Sequence, residues 1–205
     1  MIRAAHERLL VEVRALIAST PVLAEFAGDR LDGPLPLELP DPRDTDCLHL
    51  LGGFASQAGP ETQALTDAVL SEAPHLHWRQ TYGKDQVGAD FLSRSGWFNL
   101  VSPDGPFVSP EMRISIGLWD QGFTYPWHWH VPSEIYVVLA GRAIFRTGGM
   151  EDADLGPGGL REHPSLVVHA AEMRDAPLFA HALWRGEGLN APSTLCAAPA
   201  DATPA

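Results

Sequence analysis

Gly122-Phe-Thr-Tyr-Pro-Trp-His128-Trp-His130-Val-Pro-Ser-Glu134-Ile-Tyr136-Val-Val-Leu-Ala-Gly141 decides the reading of this chain. Two histidines, a carboxylate and a tyrosine fall where one strand ends and the next begins. Side chains two apart on a strand share a face, so His128 and His130 aim together, as do Glu134 and Tyr136. Imidazole, carboxylate and phenolate converging from neighbouring strands make a divalent-metal site of mixed nitrogen and oxygen character. That donor set admits iron, zinc, manganese, cobalt or nickel. The identity of the metal is not fixed by it.

The rest of the composition narrows the setting. The chain has 205 residues, 45% of them hydrophobic, and a formal net charge of -12. That suits one domain of ordinary size and argues against nucleic acid or anionic membrane as a partner. The expected partner is a small molecule, with the protein a monomer or homodimer. Cys47 and Cys196 lie far apart and form no disulfide framework, so a reducing cytoplasm is expected. The charged first residues leave no apolar core for a signal peptide, and no run is long enough to span a bilayer.

The N-terminal part, residues 1–80, reads as helical. Leu9, Leu10, Val13, Leu16 and Ile17 recur at helical spacing over residues 5–18, ended by Thr20-Pro21. A short helix over Val22 to Phe26 follows. The Gly-, Pro- and Asp-rich stretch 28–46 reads as loop, and a further helix is expected over 60–71. From Trp97 the pattern changes to short strands: 97–101, 112–119, 134–139, 142–146, 165–169 and 178–184, separated by Gly or Pro. Ala140-Gly141 marks a tight turn and Gly156-Pro-Gly-Gly159 a looser one. Strands at this spacing predict a small antiparallel barrel or jelly roll over 81–195, with 196–205 a flexible tail.

The barrel half resembles the cupin superfamily. Its first motif, Gly, five residues, His-X-His, three residues, Glu, six residues, Gly, is met by Gly122, His128, His130, Glu134 and Gly141. The second is met in part. Gly158, Pro164 and His169 fall in step, but Leu166 stands where the family usually has Gly and Met173 where Asn is common. The resemblance implies a mainly β, cupin (double-stranded β-helix or jelly-roll) barrel with an N-terminal helical segment, and His169 arriving as a metal ligand from a distant strand.

The other histidines carry less. His75-Leu-His77 repeats the His-X-His spacing with no carboxylate following, and reads as a loop or helix end. His6 is expected on an exposed helix face and His49 packed in an apolar segment. His163 and His181 fall in or near the barrel, as outer neighbours of the ligands.

Tyr136 adds a phenol to the usual cupin set, and a phenol beside a dication loses its proton more easily. Such a tyrosinate either binds the metal or acts as a general base. Tyr125 stands at the rim of the same pocket, and Trp127, Trp129 and Trp184 offer ring faces for a cationic ligand. This combination resembles the dimethylsulfoniopropionate lyases of the DddQ type. The resemblance implies metal ligands at His130, Glu134, Tyr136 and His169, a second active-site tyrosine at Tyr125, an extra histidine at His128, and an active-site tryptophan at Trp184. Tyr82, in the connection between helices and barrel, is expected to face the pocket. The implied reaction is cleavage of dimethylsulfoniopropionate to dimethyl sulfide and acrylate. Two rival readings are a cupin dioxygenase using bound iron, which would need oxygen, and a non-catalytic small-molecule-binding cupin. Against the latter, the N-terminal helices are not basic and show no helix-turn-helix pattern.

Overall fold

A computed structural model describes residues 1–199. The N-terminal part holds α1 (Ile2–Ser19), α2 (Pro21–Ala27), a 3₁₀ segment (Asp46–Gly53), α3 (Gln63–Glu72) and α4 (Lys84–Ser93). The apolar stripe of α1 is buried from Leu9 to Ile17. Thr20 is extended and Pro21 opens α2, because a residue before proline is disfavoured in helical geometry. His6 corrects one expectation. It lies on the buried face of α1, where its Nδ1–H donates to the Ile2 carbonyl at 2.8 Å. His49 corrects another. It is exposed and turned back on the Asp46 carbonyl. The third helix starts at Gln63 rather than at Pro60. No residue of α4 is buried, so no apolar period announced it.

The strands are β1 (Ser95–Ser102), β2 (Phe107–Val108), β3 (Met112–Trp119), β4 (Phe123–Trp129), β5 (Ser133–Gly141), β6 (Ala143–Thr147), β7 (Ala153–Leu155), β8 (Leu160–His163), β9 (His169–Met173), β10 (Leu178–Arg185) and β11 (Thr194–Leu195). They form two sheets, β2-β1-β3-β10-β5-β8 and β11-β4-β9-β6-β7, the cupin-like sandwich that the sequence pattern implies. Every pairing is antiparallel except the short β1–β2 contact.

β10 shows how the larger sheet serves two layers. Phe179 and Leu183 belong to the core shared with the helices, alongside Leu9, Val13 and Trp78. Ala180 and Ala182 alternate to the other face, in the barrel's own core with Trp119, Tyr136 and Phe145. Strand alternation thus separates a packing face from a pocket face.

Two turns depend on special backbone. Gly141 has φ 77°, and a Cβ there would lie 1.8 Å from the Pro177 carbonyl oxygen, so only glycine fits this corner. Leu166 has φ 65°, the left-handed region that favours glycine. Leucine here keeps the turn of the second cupin motif and carries its strain. Residues 165–168, expected as strand, form this turn, and β9 begins only at His169. Among the described residues, no helix is long and apolar enough to cross a membrane. Residues 200–205 of the expected tail lie outside the described residues. Its first residue is tied down, the Cys196 N–H donating to the Trp127 carbonyl at 2.9 Å.

Candidate metal centre

β4 does not run as a regular strand. Its register against β9 shifts between Tyr125 and His128, where Pro126 interrupts it. Residues three apart on a flat strand face opposite ways. The bulge instead brings Tyr125 and His128 together, ring centroids 4.4 Å apart, on the pocket side. Proline inside a strand is the readable mark of such a bulge.

His169 opens β9 directly across from His128, with ring centroids 4.2 Å apart. His130 lies 4.8 Å from His169 by the same measure. The turn before His169 is tied to the segment carrying His130, the Leu166 N–H donating to the His130 carbonyl at 3.0 Å. Glu134 enters from β5, and its lateral partner on β8 is His163, whose ring stacks on His169 at 4.1 Å. All five side chains are buried. The ligand atoms of His128, His130 and His169 lie within 4.8 Å of one another, and so do those of Glu134, His163 and His169.

The hydrogen bonds fix the orientation of the imidazoles. Nδ1 of His128, His130 and His169 faces the carbonyls of Pro126, Pro132 and Val167 at 2.8, 2.8 and 2.9 Å. A carbonyl only accepts, so each Nδ1 carries a proton and each ring turns its Nε2 toward the cluster. Nε2 of His130 and His169 then lies 3.1 and 3.3 Å from Glu134 Oε2. The His169 Nε2 is buried and without a hydrogen-bond partner among the described residues. Ring nitrogens converging on a carboxylate oxygen are stable only with a positive charge between them, a proton or a metal ion. Backbone-fixed imidazoles with a hydrogen-bonded carboxylate are the donor set and support that a divalent transition metal takes.

The electrostatics agree. Burial, reinforced by His169, lowers the His128 pKa to about 3 and holds His163 well below its ordinary value. Burial pushes the Glu134 carboxyl up, but His130 and His169 outweigh it and hold the group well below the usual range. His128 and His163 are therefore neutral imidazoles beside an ionised carboxylate. Burial, with Glu134 nearby, raises the Tyr136 phenol well above 10, and burial beside Tyr82 does the same to Tyr125. Each phenol needs a nearby positive charge to ionise.

A cavity of about 370 Å³ opens on this cluster and is lined by Tyr82, Tyr125, His128, Glu134, Tyr136 and Trp184, among others. Of the residues singled out from sequence, Trp127 and Trp129 are corrected, since neither lines the cavity. For Trp129 the reason is strand alternation: it alternates with His128 and His130 to the opposite face of β4. Two cavity-lining tryptophans were passed over by sequence reasoning, Trp97 on β1 and Trp119 at the end of β3. The Trp119 ring lies 5.8 Å from Tyr125 and 6.2 Å from Tyr136. Trp184 is in place but engaged. Its Nε1–H donates to Glu134 Oε1, its ring meets His130 at 4.1 Å, and the Arg113 guanidinium lies 4.5 Å over it. His163 does adjoin the cluster. His181 points away from it, into the core beneath the helices, flanked laterally by Ile116 and Val137.

Comparison with known proteins agrees with this geometry. Residues 40–180 match the dimethylsulfoniopropionate (DMSP) lyase family. The chain is 33% identical to the dimethylsulfoniopropionate lyase DddQ of Ruegeria pomeroyi over 196 residues, covering 92% of each sequence. Against the crystal structure of DMSP lyase DddQ from that organism the TM-score is 0.87, covering 94% of this chain and 96% of that one. A chain from the crystal structures of the DMSP lyases RdDddP and RnDddQII gives a TM-score of 0.89 at 34% identity, covering 96% of this chain and all of the other. With the fold, the buried His/Glu cluster and these relatives in agreement, the chain belongs to the DMSP lyase family of carbon–sulfur lyases.

Proposed function

We propose that this protein cleaves DMSP to dimethyl sulfide and acrylate by a tyrosine-assisted β-elimination at the His/Glu cluster. The observation that carries the reading is the meeting of that cluster with two phenols, buried Tyr136 and half-buried Tyr125, in one cavity. His130, Glu134 and His169 would hold the metal, with Tyr136 as a fourth group and His128 beside them. When bound there, a divalent metal supplies Lewis acidity at the substrate carboxylate and stabilises charge as the adjacent carbon loses its proton.

The protein's own groups do the rest. Tyr125 or Tyr136, as tyrosinate, removes the proton from the carbon next to the carboxylate. The electron pair left behind becomes the new C=C bond while the C–S bond breaks, and its pair stays on sulfur. Dimethyl sulfide leaves neutral and needs no acid. Trp119, Tyr125 and Tyr82 offer ring faces to the sulfonium. Trp184 spends its N–H on Glu134 and holds that carboxylate in place.

The test is headspace detection of dimethyl sulfide from metal-loaded protein under nitrogen. Tyr125→Phe and Tyr136→Phe should each lose roughly 10²- to 10⁴-fold in rate with an unchanged melting midpoint. Wild-type turnover in both variants removes the tyrosines from the chemistry, and a requirement for oxygen removes the lyase reading.

A further inference from the structure

One wall of the cavity is a column of stacked groups that runs from the protein surface to the histidine cluster. Asp104 pairs with Arg79 at 3.3 Å, and Arg79 lies 5.8 Å over the Trp97 ring. The Arg113 guanidinium lies 4.6 Å over that same ring and 4.5 Å over Trp184, which in turn meets His130 at 4.1 Å. Arg113 sits on β3 directly beside Trp184 of β10, which is why the two side chains stack.

The guanidinium is only half served by the protein. Nε donates to Asn99 Oδ1 at 3.0 Å and Nη1 to the Leu189 carbonyl at 3.2 Å. Both acceptors are neutral. Among the described residues Nη2 has no hydrogen bond and Arg113 has no carboxylate in ion-pair contact. The two acidic groups nearby are already engaged, Asp104 by Arg79 and Ser102, and Glu134 by Trp184 and the histidines. Withdrawing a charge from water without an anionic partner is costly. Here the charge is held by two indole faces and presented to the cavity that Arg113 lines.

We propose that Arg113 is a second receptor for the substrate carboxylate beside the metal centre, setting that end of a zwitterionic substrate toward the histidine cluster. The idea rests on the cavity being the DMSP site and adds the group that sets substrate polarity. A planar guanidinium fork matches a carboxylate in a way a lysine does not. The chain's one lysine, Lys84, opens the outer helix α4 and does not line the cavity. Acrylate keeps the substrate's carboxylate, so it binds at the same place as product.

The test is calorimetric binding of acrylate and of acrylamide, its uncharged isostere, to metal-loaded wild type, Arg113→Gln and Arg113→Met. Wild type should prefer acrylate, and the variants should bind it roughly tenfold or more weakly, with the KM for DMSP rising in step. Metal content and melting midpoint should stay close to wild type. A folded variant that binds acrylate within about threefold of wild type overturns the proposal. So does a variant in which only kcat falls, or a wild type with no preference for acrylate over acrylamide. The two readings fail separately. Arg113-dependent acrylate binding without dimethyl sulfide release would refute the lyase assignment alone. Lyase turnover at wild-type KM in Arg113→Gln would refute the receptor alone.

Discussion

His75-Leu76-His77 and His128-Trp129-His130 have the same spacing and opposite fates. In the first, Leu76 and Trp78 are buried and the histidines flank them on the outer side, His77 donating its Nδ1–H to the Asp41 carbonyl at 2.7 Å. In the second the pattern is inverted. The histidines are 2% and 3% exposed, and Trp129 faces outward. Period-two spacing puts two imidazoles on one face but does not choose the face. The choice is made by what lies opposite: His169 and Glu134 for one pair, backbone and solvent for the other.

The comparison breaks most sharply by deletion. His130→Ala should cut dimethyl sulfide release by roughly 10³-fold or more and lower the bound metal, since Lewis-acid stabilisation is worth several kcal/mol. His77→Ala, assayed in parallel, should match wild type in both respects. Equal losses in the two variants would erase the distinction between the pairs.

A smaller effect sharpens it. Trp184→Phe keeps a ring between Arg113 and His130 but removes the donor to Glu134. The expected cost is about 10- to 100-fold in activity or metal affinity. An unchanged rate would mean that Glu134 is positioned by the histidines alone.

His181 offers the contrast within one strand, since it faces the helices while Trp184 faces the cavity. Burial, only partly offset by the Ser115 backbone, lowers its pKa to about 3 from an ordinary 6.5. The unfolded chain therefore takes up the proton first as pH falls below 6.5, and stability drops from there toward the folded-state value. Between pH 6.5 and 5 this amounts to about 2 kcal/mol. Denaturant melts of His181→Leu should lose correspondingly less stability over that interval. Parallel pH profiles for variant and wild type would contradict this.

The smallest expected change concerns the turn that delivers His169. Leu166 is 59% exposed and adopts φ 65°, so Leu166→Gly relieves backbone strain without removing core packing. The net gain should be about 0.5–1 kcal/mol by chemical denaturation, after the entropic cost of glycine is subtracted. A loss of stability would show that the leucine side chain is itself needed.

These contrasts also mark how far sequence reasoning reaches. The meeting of His130, Glu134 and His169 in one cluster was legible because side chains on strands keep fixed offsets from the glycines that turn them, and Gly122 and Gly141 flank the first pair at the family's spacing. The alternation of β10 and the helical period of α1 were legible for the same reason: each buries one face. Trp129 was misplaced because residue type suggested an aromatic box, whereas its position between two inward histidines sends it outward. Pro126 was the available sign that Tyr125 and His128 would share a side. His163 reaches the cluster by cross-strand pairing of β8 with β5, which no local pattern encodes. Arg113 was silent. A single arginine in an apolar strand carries no period or motif, and its meaning appears only when Trp97 and Trp184 close on it from strands on either side.

The account's central claim is that a dication held by the buried His/Glu cluster is required for carbon–sulfur cleavage. The most direct measurement is dimethyl sulfide release from DMSP under nitrogen, by protein chelated exhaustively and then titrated with divalent metal. The account predicts no release after chelation and full recovery near one metal per chain. Undiminished release from the chelated protein would contradict it.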